Sequence, residues 1–134
     1  MKNFLLIILM FISVPCLAQM PTSKIFHLHK IYTFVEKMPQ FPGGKDSLAA
    51  FIKQNFHYPV AAKKNDVVGT VTITFVVDSI GEIGDLVIVK GLPYGCNDEA
   101  KRIVGEMPNW IPGKQNGNAV NVQVNLPFNF KMDD

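Results

Sequence analysis

Cysteine is scarce in this chain: Cys16 and Cys96 are the only two in 134 residues. Charge is scarce as well, at 18%, with 13 basic residues against 11 acidic ones and no basic block. That balance argues against nucleic acid or an anionic membrane surface as the main partner. Clustered metal ligands are missing. His27 and His29 could share one side of a strand, but no Cys, Asp or Glu lies within ligand spacing of them. Gly43-Gly44-Lys45 lacks the GxxxxGK[ST] spacing of a phosphate loop. A nucleophilic Cys96 would need a base, and His57 is the single histidine further along the chain. Asp98 and Glu99 beside Cys96 would also oppose a thiolate. Neither an enzyme nor a cofactor- or metal-binding protein is expected.

What is present is apolar: 48% of the residues, enough for one packed domain and too short a chain for two. Part of that share belongs to the first segment. Lys2, the apolar run from Phe4 to Val14, and Cys16-Leu17-Ala18 before Gln19 form the three-part layout of a secretory leader. The run is shorter than the ~20 residues a spanning helix needs, and Pro15 ends it. Residues 1–18 are therefore read as a signal peptide cleaved after Ala18, with a retained inner-membrane anchor facing the periplasm as the alternative. Pro15 disfavours a lipid on Cys16. Cleavage would leave Cys96 as the lone thiol, unable to form an internal disulfide and expected to be buried.

Residues 19–37 read as a lead-in, with Ile31–Val35 (IYTFV) as a short strand. Met38 to Gly44 carries two prolines and two glycines in seven residues, which forbids regular structure. Leu48, Phe51, Ile52 and Phe56 then form one helical stripe, stopped by Tyr58-Pro59, and Val60–Lys64 adds a further turn. Val71, Ile73, Phe75 and Val77 alternate with threonines and Val76, and Asp78 to Gly81 supplies a turn. The returning strand holds Ile83, Leu86 and Ile88, and its broken alternation at Gly84 predicts a bulge. Asn97 is the predicted N-cap of a second helix with Ala100, Ile103, Val104 and Met107 on one face. Trp110–Gly113 and Asn116-Gly117 read as a crossing loop. The expected fold is α+β: a small antiparallel sheet of about three strands with two helices on one face.

The last strand is unusual. Val120, Val122, Val124, Leu126, Phe128 and Phe130 point one way, and Asn121, Gln123, Asn125 and Asn129 the other. About twelve residues is twice a typical strand. Pro127 restricts it to an edge or to a side that needs no donor. Its outer face has amides but no charge, whereas edge strands are usually guarded by lysines or bulges. Two readings remain open: an ordinary edge, or one kept free for an extended peptide.

Met38-Pro39-Gln40-Phe41-Pro42-Gly43-Gly44, Tyr58-Pro59 with Ala62, Gly69, Gly81, Asp98-Glu99-Ala100, Met107 to Lys114 and Leu126-Pro127-Phe128 occur in that order. With these elements, residues 38–131 resemble the TonB C-terminal domain, in the variant common among Bacteroidota-type proteins. The resemblance implies a periplasmic module that takes TonB-box segments of outer-membrane transporters as a strand beside its last strand. It implies Tyr58, Pro59, Val120, Asn121, Val122, Gln123, Val124, Asn125 and Leu126 as the binding surface, and a homodimer through the same strand as an alternative partnership. Trp110 is expected to brace the core. Energy-transducing members carry an anchor and a long proline-rich spacer, whereas residues 20–37 would span at most roughly 63 Å. The chain is therefore expected to bind rather than to transmit force by itself.

Overall fold

The computed structural model describes residues 30–132. The expected leader and cleavage site, and His27 and His29, lie outside them. Among the described residues the order is β1 (Ile31–Tyr32), α1 (Lys45–Asn55), α2 (Val60–Lys64), β2 (Gly69–Val77), β3 (Ile83–Lys90), α3 (Cys96–Gly105), β4 (Gly113–Gln115) and β5 (Asn118–Phe130). Three long strands carry the sheet, in the order β1-β5-β2-β3, and β4 pairs with β5 off that path. The long strands are antiparallel. β1 is parallel to β5, so the sheet is mixed.

Local chemistry explains the elements. Phe41 to Gly44 closes with a hydrogen bond from Gly44 N to Phe41 O (2.8 Å). Pro42 in second place and Gly43 at φ 88° are the residues a type II turn requires. α1 follows at once and ends where Phe56 turns extended ahead of Tyr58-Pro59. Between β2 and β3, Asp78 Oδ1 accepts from Ile80 N (3.0 Å) and Glu82 N (2.9 Å), which fixes the turn. The expected bulge is there: Thr74 faces Val87 while Val76 faces Gly84, and Asp85 takes a left-handed φ of 52°.

Three expectations change. β1 stops at Tyr32, not Val35, because the chain turns away to pair Lys37 with Lys114 and Gln40 with Ile111. Gly95, not Asn97, holds the N-cap position of α3. The Asn97 side chain instead accepts from Leu92 N (2.9 Å), tying down the preceding loop. The supposed crossing loop also contains β4. Asn116 (φ 52°) and Gly117 (φ 78°) form its two-residue hairpin turn into β5.

The core lies between the sheet and the helices. Val71, Ile73, Phe75, Val77, Phe128 and Phe130 from the sheet meet Ala100, Ile103 and Val104 from α3. Cys96 is fully buried there, and burial pushes its thiol pKa up. Trp110 is 5% exposed and stands edge-on to Phe41 (5.8 Å between ring centres) and Phe75 (5.3 Å). α1 is covered less well. Leu48, Phe51 and Ile52 pack against the core, yet none of its residues is fully buried. Arg102 joins α3 to the end of α1: it donates to both carboxylate oxygens of Glu99 (2.6 and 3.1 Å) and to Asn55 O.

Candidate functional site

β5 has two sides with different occupancy. Toward β2 it is saturated, since Val122 through Phe130 pair with all nine residues of β2 without a register shift. The register passes Pro127, which has no N–H to give. Pro127 therefore sits where the backbone faces away from β2, and Asn125 and Asn129, of the same parity, present their N–H groups on that far side. There, β1 pairs only with Asn121 and Val122. From Val124 to Phe130, no strand among the described residues pairs with the side of β5 away from β2. At 3.3 Å per residue the open stretch is about 23 Å long.

The opposite border of the sheet is built differently. β3 carries two register irregularities, a left-handed Asp85 and the charged Lys90. Bulges and charge are the usual guards of an edge. β5 has neither along its open stretch, where Asn125, Pro127 and Asn129 are exposed.

A cavity of about 320 Å³ adjoins this stretch. Its walls include Met38, Pro39, Phe41, Leu48 and Trp110, with Val124 to Leu126 of β5 along one side. The lining segment Met38–Phe41 is held by the Gln40–Ile111 pair (Gln40 N to Ile111 O 3.0 Å, the return bond 2.8 Å). Trp110 N donates to Gly81 O (2.8 Å), and a Cβ on Gly81 would lie 2.0 Å from Trp110 O. The indole Nε1 is buried without an acceptor.

The residues singled out from sequence are spread along β5. Val124, Asn125 and Leu126 border the cavity. Gln123 is exposed at the point where β1 leaves. Val120 pairs with Gly113 of β4, and Asn121 and Val122 are taken by β1. Tyr58 lies at the other end: its ring is edge-on to Phe130 (5.7 Å) and its hydroxyl donates to Val67 O. Burial, with Cys96 and Asp66 nearby, raises the Tyr58 pKa, so it stays a neutral phenol. Pro59 sits close to Gly95 at the start of α3. Four residues separate Phe130 from Leu126, about 13 Å of strand, and Val120 is about 33 Å away. Tyr58-Pro59 and Val120 therefore flank the open stretch from opposite ends.

The cavity was not legible in the sequence, because its walls come from four separate segments. Among the described residues, no group of three or more His, Cys, Asp or Glu could hold a metal, and no helix is long and apolar enough to cross a membrane.

No curated protein matches the chain. Among known families, residues 54–132 match the C-terminal domain of the Gram-negative bacterial TonB protein.

Proposed function

Because the chain belongs to the Gram-negative bacterial TonB C-terminal family, a family of periplasmic interaction domains associated with TonB-dependent transport, we propose that it binds TonB-box-like extended segments of outer-membrane transporters by strand addition to β5. The observation that carries this reading is the asymmetry of the sheet. The border at β3 is guarded, whereas the open side of β5 offers unpaired backbone groups over about 23 Å. The added strand lies beside Val124 to Phe130. β1 limits it at Asn121 and Val122, and Tyr58-Pro59 flank its far end. Residues 1–18 act as the export leader, and a mature N-terminus at Gln19 in envelope protein is the expected sequencing result.

The parity of β5 supplies a selective test. Asn125→Pro removes one donor from the open side and leaves the β2 ladder intact. One lost inter-strand hydrogen bond is worth about 0.5–1.5 kcal/mol, so a TonB-box peptide should bind roughly 2–13-fold more weakly. Asn125→Ala keeps the backbone donor and should bind as the wild type does. Equal affinity for the wild type and Asn125→Pro by calorimetry would refute strand addition here. Peptide-independent dimerisation in sedimentation, abolished by Asn125→Pro, would instead assign the open stretch to self-pairing.

A further inference from the structure

The cavity beside β5 has a geometry that strand addition alone does not use. Side chains of an added strand project to the same two faces as those of its neighbour. Residues of a docked segment that lie alongside Val124 and Leu126 on the core-facing side therefore point toward the space between β5 and α1. That space is the cavity, lined by Met38, Pro39, Phe41, Leu48, Trp110 and Leu126. At about 320 Å³ it lies at the bottom of the ~300–1,000 Å³ range of small-molecule sites. It suits one large side chain rather than a cofactor.

Two further observations point to an occupant. α1 leaves Leu48, Phe51 and Ile52 only half covered, and Leu48 borders the cavity. Trp110 also borders it, and its indole N–H is buried with no acceptor, although buried polar groups are almost always paired. An incoming residue can supply both missing parts: apolar surface against Leu48 and a carbonyl for the indole.

Resting on the strand-addition reading above, we propose that this cavity is the specificity pocket of the docking strand. It takes one leucine- to phenylalanine-sized side chain from an extended segment of another protein and donates the Trp110 Nε1–H to a carbonyl of that segment. Binding then selects sequence as well as extended shape, because the β5 backbone accepts any strand and the pocket accepts an apolar anchor.

Trp110 is the single tryptophan of the chain, so its emission and its indole N–H resonance report on the pocket directly. The probes are blocked heptapeptides of alternating threonine and valine, with Gly, Lys, Leu or Phe in the central place. N-methylated versions of the Leu peptide carry the modification on alternate amides. Burying one such side chain predicts roughly ten- to hundredfold tighter binding of the Leu and Phe peptides than of the Gly and Lys ones. Emission should shift, and the indole N–H should move downfield. Met38→Phe and Val124→Phe each narrow the cavity and should cut the Leu-to-Gly ratio to below about threefold.

The possible failures are separable. If N-methylation abolishes binding but the Leu-to-Gly ratio is near one, or is unchanged in both narrowed variants, the pocket assignment is wrong and strand addition stands. If N-methylation weakens binding on neither set of alternate amides, strand addition fails and the pocket assignment fails with it.

Discussion

Gly81→Ala should damage this domain far more than the loss of flexibility in an exposed turn would suggest. Gly81 holds φ 90°, and a Cβ there would meet the backbone carbonyl of Trp110 at 2.0 Å, a contact that no rotamer can relieve. A left-handed alanine costs about 1–2 kcal/mol. Pushing Trp110 away adds its hydrogen bond to Gly81 O, about 0.5–1.5 kcal/mol. Loosening its contacts with Phe41 and Phe75 adds about 0.5–1.5 kcal/mol each at most. The sum is roughly 2.5–6.5 kcal/mol, against a typical total stability of about 5–15 kcal/mol. For a domain of this size, Tm should fall by at least about 10 °C. Urea unfolding followed by Trp110 emission measures the change, with Gly84→Ala as the control because a Cβ there meets nothing within 4 Å. A Gly81→Ala protein within about 1 kcal/mol of the wild type would show that the β2–β3 turn and the cavity wall are independent, and would refute the reasoning.

Glu99 gives a pH test. Burial pushes its carboxyl pKa up, but hydrogen bonds from Arg102 and from His57 N outweigh that and hold it below the usual value. Its contribution is thus complete above about pH 4.3 and is lost as pH falls through the lower folded value. Glu99→Gln should cost about 1–2 kcal/mol at pH 7 and converge with the wild type in acid. A pH-independent difference in urea midpoints would contradict this. Cys96, fully buried with a raised pKa, should react with a thiol reagent at least ~1,000-fold more slowly in the native protein than in urea. A native rate within tenfold of the unfolded one would show that its surroundings open easily.

Periodic burial made much of the fold legible from sequence. The stripes of α1 and α3, the alternation of β2 and β5, and the broken alternation at Gly84 all come from one residue pattern meeting one core. Trp110 as a core brace followed from its place beside a helix end. What was not legible depended on contacts distant in sequence. β1 pairs through only two residues, too few to carry a pattern, yet it takes Asn121 and Val122 out of the open side. Asn97 looks like a cap in isolation, but its oxygen goes to Leu92 N. Asn116-Gly117 is a strong hairpin signal, masked by the glycine and prolines around it. The cavity depends on how the Lys37–Phe41 segment is laced to Ile111 and Lys114, which no local pattern encodes.

On the strand-addition reading, the two-residue parallel strand β1 is also an end-stop. A strand docked along an unobstructed edge can slide, and a slip of one residue exchanges its inner and outer side chains. With Asn121 and Val122 taken, a docked strand cannot advance past Gln123. Shortening β1 should therefore blur the alignment of a bound segment before it weakens the grip on it, so selectivity for sequence would be lost earlier than affinity.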